Sequence, residues 1–200
     1  MNWLQNGQPV GAQDRTTTED GAYTFNGYAD VGVRNQNATI VLPTEDEWYK
    51  AAYYDGSASR YFGFPTRSDV LTRCRAPTSQ RNSASCNDGS STYTPSNPEN
   101  VGSYTGSASS YGTFDQGGNI QEWTETIVAD GNRVMRGGSF LFSPTQLGAD
   151  VRIPLDPTFC DYGYFGFRVA TLVLEPSTGL LVASGVIGLA IHRPTKAQLA

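Results

Sequence analysis

Along most of this chain apolar residues occur singly or in short bursts between polar, glycine-rich runs, and only a few stretches keep a pattern long enough to predict an element. The clearest is "IVLPTEDEWYKAAYYDG". Thr39 to Leu42 is short and β-branched, which predicts a strand. Thr44 can then act as N-cap, with Glu47 three residues on closing a capping box and Glu45 and Asp46 at the positive end of the helix dipole. A helix is predicted from about Glu45 to Tyr54, with Trp48, Ala51 and Ala52 on one face and Asp55-Gly56 as its stop. Taken alone, it is a core-packing helix.

Further on, "GGNIQEWTET", "RVMRGGSF" and "GYFGFRVA" alternate apolar and polar residues well enough to predict strands, with glycines between them. At the start, Trp3-Leu4 stands just before Asn6-Gly7 and Pro9, which is how a helix ends. Residues 8 to 37 read as loop with short extended pieces. Residues 57 to 112 lack periodicity and are rich in Ser, Asn, Thr, Gly and Pro; Tyr61, Phe62, Phe64, Tyr93, Tyr104 and Tyr111 argue that this long segment is nevertheless ordered. The last apolar run, Gly179 to Ile191, is thirteen residues without a charge. As a helix it rises only about 20 Å at ~1.5 Å per residue, against a bilayer core of roughly 30 Å, so a stable span is not expected.

Composition sharpens this picture. With 200 residues, 38% of them hydrophobic, the chain suffices for one domain and a tail, and its abundance of Gly (22) and Tyr (11) describes a loop-rich fold. Fourteen basic against nineteen acidic residues give a net charge of -5, and no basic cluster interleaves with aromatics, so nucleic acid is not an expected partner. His192 is the only histidine and lies in the tail, which leaves the folded part without an imidazole for a Ser-His-Asp triad, a Cys-His pair or a zinc or iron centre. Cys74, Cys86 and Cys160 include no C-x-x-C. They allow one disulfide, Cys74 with Cys86, plus a spare thiol; three unpaired, inert thiols is the preferred reading. The first residues carry no signal-peptide pattern, so either the chain is cytosolic or its beginning is missing.

"LPTEDEWYKAAYYD", "YGTFDQGGNIQEWTE", "RVMRGGSF" and "GFRVA", in that order, resemble the formylglycine-generating enzyme, or sulfatase-modifying factor, domain family over roughly residues 1 to 170. The resemblance implies an α+β, loop-rich, C-type-lectin-like fold with little regular secondary structure. A helix and strands that precede Trp3 in that family have no counterpart here, so an N-terminally truncated domain is expected. The expected division is a domain over 1–171 and a tail over 172–200. The tail is similar to a PEP-CTERM sorting signal: Val173-Leu174-Glu175-Pro176, an apolar run, then Arg193 and Lys196. That likeness implies an exosortase-like sorting enzyme as partner, transient membrane anchoring with the basic end inside, and export to the envelope or extracellular matrix.

Oxidising members of the family bind copper through two cysteines, whose positions here hold Phe142 and Leu147. Two soft thiolates are what Cu(I) prefers, so loss of the oxidase is expected, and a rearranged copper site built from Cys160 with a loop cysteine is the alternative. The same resemblance implies a calcium site with ligands from Asp115, Gly118, Ile120 and Glu122, where hard oxygens at close spacing suit Ca²⁺. The competing reading has Glu122 capping a turn or pairing with Arg136 while Trp123 fills the core. Arg136, Gly137, Gly138, Phe167 and Arg168 read as scaffold. Together these imply a non-catalytic, calcium-stabilised, exported, exopolysaccharide-associated module that presents Tyr104, Tyr111, Phe142, Phe159 or Tyr162 to a glycan or peptide. The alternative is a divergent formylglycine-generating oxidase acting on a protein cysteine.

Overall fold

The computed structural model describes residues 1–24, 32–90, 93–159 and 163–172; Tyr162, Cys160 and the sorting-signal tail fall outside them. The N-terminal helix α1 (Asn2–Gln5) does end where the sequence predicts. Its side chains tie it to two later segments. The Asn2 amide donates to the Thr18 and Tyr23 carbonyls, and Gln5 Oε1 accepts from the Thr39 and Ile40 amides. Strand β1 shortens to Ile40–Val41, and α2 spans Glu45–Tyr53. The helix begins where Thr44 accepts from the Glu47 amide at 3.2 Å while Glu47 accepts from the Thr44 amide at 2.7 Å, a closed capping box. Trp48 and Ala52 are buried as expected, and Tyr53 rather than Ala51 completes the buried face.

The segment after α2 is ordered without long elements. Strands β2 (Tyr54–Asp55) and β3 (Arg60–Tyr61) form a hairpin, and β4 (Arg73–Cys74) pairs in parallel with β5 (Ser83–Ala84). Cys74 and Cys86 form a disulfide. This corrects the preference for three unpaired thiols: the β4–β5 ladder brings the two side chains together, a pairing that spacing alone could not decide.

Sheet strands β6 (Gln121–Ile127), β7 (Arg133–Arg136), β8 (Ile153–Leu155) and β9 (Phe165–Phe167) line up in the order β8-β7-β6-β9. β6 runs antiparallel to β7 and parallel to β9, and β7 runs antiparallel to β8. The last strand, β10 (Ala170–Thr171), returns to pair with β1, joining the two ends of the described domain.

The interior is divided among small apolar clusters. One gathers Ala22, Tyr23, Ala38 and Val41; another Cys74, Ala84, Cys86 and Leu147; a third Trp48, Ala52 and Tyr53. Residues 113–122 strap these together. Gln116 Nε2 donates to the Trp48 carbonyl, the Gly118 amide to the Gly137 carbonyl, and the Asn119 amide to the Ser85 carbonyl. Gly118 has a φ of +80°, and a Cβ there would lie 2.3 Å from the Ser85 oxygen, so the strap can approach β5 this closely only with glycine.

Candidate functional site

Helix α2 lies over the β6–β7 pair and meets two buried charges there. Glu122 of β6 and Arg136 of β7 are register partners, so their side chains share a face. Arg136 does not pair with Glu122, as one expectation had it. Its Nη2 lies 2.8 Å from Glu45 Oε1, and its Nη1 donates to the Ala149 and Val151 carbonyls. Arg152 adds Nη2 at 2.7 Å from Glu45 Oε2. Burial raises the Glu45 carboxyl, but the hydrogen bonds and charges of Arg152 and Arg136 outweigh it and leave its pKa below the ordinary glutamate value.

One helical turn on, Trp48 Nε1 donates to Glu122 Oε2 at 2.6 Å. Arg168, just beyond β9, forks onto the same carboxylate, Nε to Oε2 at 2.5 Å and Nη2 to Oε1 at 2.6 Å, and Nη2 also donates to the Phe114 carbonyl. Arg168 thus ties β6, β9 and the segment at Phe114 together. The GFR triplet, whose Gly166 is the β9 register partner of Glu122, was the available signal.

Asp115 sits at the head of the strap with a left-handed φ of 56°, and its Oδ2 accepts from the Gly102 amide at 2.7 Å. Burial pushes its pKa up, against the Gly102 hydrogen bond and the field of Arg168. Asp115, Gly118, Ile120 and Glu122 thus lie on one strap and the start of β6, with Arg168 acting on both carboxylates. Among the described residues no three His, Cys, Asp or Glu side chains gather as a metal cluster. The donors expected for calcium are of another kind, half of them main-chain carbonyls.

The two positions where the resemblance placed copper cysteines both hold apolar side chains. Leu147 is fully buried against the Cys74–Cys86 disulfide, and its carbonyl accepts from the Tyr53 hydroxyl. Phe142 is half-buried, edge-on to Tyr164 at 5.6 Å, with its carbonyl accepting from the Asn87 amide. Among the aromatics expected to face a ligand, Tyr111 and Phe159 are exposed. Tyr104 is buried, its hydroxyl bonded to the Arg75 carbonyl at 2.7 Å, and burial raises its pKa; it belongs to the core.

A family model described as the sulfatase-modifying factor enzyme 1-like domain matches residues 14–173. Among solved structures the chain is similar to Treponema denticola variable protein 1, at 23% identity and a TM-score of 0.48, covering 70% of this chain and 50% of that one. It is also similar to CarF, at 24% identity and a TM-score of 0.50, covering 70% and 51%. The chain spans about half the length of these structures, and the likeness to CarF speaks for the fold alone. No curated protein matches it.

Proposed function

Because the chain belongs to the sulfatase-modifying factor enzyme 1-like family, we propose that it is a non-oxidising member that serves as a binding module. The observation that carries this reading is Leu147. A second copper thiolate is expected at this position, and the side chain there is apolar, fully buried and part of the cluster around the Cys74–Cys86 disulfide. A soft-metal oxidase needs thiolates it can expose to copper and oxygen. Here Phe142 and Leu147 offer none. The test is copper content after aerobic purification, together with oxygen uptake in the presence of a cysteine-containing peptide. Neither stoichiometric copper nor peptide-dependent uptake is expected; finding both overturns the proposal.

Calcium is the second part of the proposal. The donors fit a hard cation in kind: Asp115, the carbonyls of Gly118 and Ile120, and Glu122. Glu122 can serve through Oε1, which takes a single hydrogen bond from Arg168, while Oε2 is committed to both Trp48 and Arg168. Bound there, calcium would tie the strap to β6 and offset the raised charge cost of ionising Asp115. Export completes the reading. The apolar run after Glu175-Pro176 and the basic end at Arg193 and Lys196 support cleavage by an exosortase-like enzyme and release beside exopolysaccharide. Mass spectrometry of the C-terminus of envelope-associated protein tests it, with loss of the residues after Pro176 expected and an intact Ala200 counting against it.

A further inference from the structure

A cleft of ≈ 630 Å³ opens in the long irregular segment, lined by Phe62, Thr66 and Arg67 after β3 and by Arg81, Asn82 and Gly106. Its frame is fixed by polar side chains. Asn82 Nδ2 donates to the Val70 and Leu71 carbonyls, and its Oδ1 accepts from Thr66 Oγ1 at 2.7 Å. Close packing holds the other wall, since a Cβ on Gly106 would lie 2.0 Å from the Ser79 carbonyl oxygen. Two non-glycine residues at the cleft adopt left-handed backbone, Arg67 at φ 58° and Asn82 at φ 54°. Such conformations carry a cost that the surrounding contacts must offset. Asn tolerates it; Arg has no intrinsic reason to be there.

Two arginines without a carboxylate partner meet at this cleft. Five arginines of the described residues are neutralised, Arg34 by Glu47 and Glu125, Arg60 by Asp69, Arg136 and Arg152 by Glu45, Arg168 by Glu122; Arg67 and Arg81 are not among them. Arg67 and Arg81 are exposed, and among the described residues neither guanidinium has a hydrogen bond or ion pair; Asp55 feels Arg67 only through space. In a chain of net charge -5, two unpaired forks at one polar cleft mark a place for an anion. The remaining lining suits a hydroxyl-rich partner. The exposed Thr105 hydroxyl adds a hydrogen-bonding group beyond those spent on the frame, and the Phe62 ring, with the Arg60 guanidinium 4.7 Å from its centroid, adds a flat apolar surface.

We propose that this cleft binds an acidic saccharide, whose anion is a uronate carboxylate or a sulfate ester, with Arg67 and Arg81 receiving the charge. The inference rests on the reading of the chain as a binding module and gives that module its ligand class. It is tested on the full chain by calorimetric titration with oligoalginate, dextran sulfate, neutral dextran and poly-glutamate, at low and at physiological salt. Binding of oligoalginate or dextran sulfate, weakened by salt, with no binding of neutral dextran, is expected; whichever of the two binds tells which anion is read. Arg67→Asn, which suits the left-handed backbone while removing the charge, and Arg81→Gln should each weaken binding about tenfold with the melting temperature unchanged. Equal binding of poly-glutamate overturns the saccharide assignment, and unaltered binding by both variants overturns the cleft. A folded, copper-free protein that binds neither acidic glycan overturns this inference alone. Copper with peptide-dependent oxygen uptake overturns the module on which it rests.

Discussion

At the scale of the residue, buried charge is placed by competition among partners. Glu122 was legible from the sequence as a functional or structural carboxylate, and its cross-strand neighbour Arg136 as a natural partner. The pairing failed because α2 brings a second carboxylate over the same face. Glu45 takes Arg136 and Arg152, which frees Glu122 for Trp48 and Arg168. No spacing rule joins residues 122 and 168; only the parallel β6–β9 register does. Glu45→Ala leaves Arg136 buried without its counter-charge and should cost about 3 kcal/mol, read as a lowered urea midpoint at unchanged slope. The pH dependence has a definite sign. Glu45 is lowered in the fold, so its contribution is complete above the ordinary glutamate range and is lost as pH falls through its folded pKa. Asp115 is raised, so in the absence of bound cation it acts in the opposite direction, disfavouring the fold as pH rises through its ordinary range. Glu45→Gln should therefore flatten the acid limb of the stability profile, and Asp115→Asn should steepen it.

At the scale of the element, what was legible was what repeats. Helix α2 announced itself by Thr44, Glu47 and a 3.6-residue apolar stripe, and the principal strands β6, β7 and β9 by alternation. The two-residue ladders of the segment 57–112 have no period to read, because side chains such as Asn82 and Thr66 replace a strand's own hydrogen bonds. Two substitutions separate these kinds of order. Thr44→Ala removes one arm of the capping box and should destabilise the domain by about 1 kcal/mol. Replacing both Cys74 and Cys86 by serine releases a short loop and opens the cluster around Leu147, for an expected loss of about 3 kcal/mol on loop-closure grounds. Hydrogen exchange distinguishes them. The first should fray the start of α2, and the second should raise exchange through residues 73–86 while leaving β6 and β7 protected.

At the scale of the whole molecule, the separate parts of the interior cohere because one strap touches several layers. Gln116 reaches α2, Gly118 reaches the residue after β7, and Asn119 reaches the residue after β5 and the loop at Glu99. Anything that fixes the strap therefore acts on global stability rather than on one loop. A calcium ion held by Asp115, the Gly118 and Ile120 carbonyls and Glu122 would bind the folded strap and not the unfolded chain. At a hundred times its dissociation constant such an ion stabilises by about 2.7 kcal/mol, which for a domain of this size raises the melting temperature by roughly 5–10 °C. Magnesium, which demands a tighter octahedron and keeps its waters, should do much less. Because binding requires ionised Asp115, whose pKa burial has raised, the calcium effect should fade on acidification at a pH above that of an ordinary aspartate site. Asp115→Asn removes that competition with protons and one unit of charge together, so it should weaken calcium and flatten its pH dependence. A melting temperature indifferent to both calcium and chelator would leave Arg168 as the cation serving Glu122 among the described residues, and the strap as a purely internal tie.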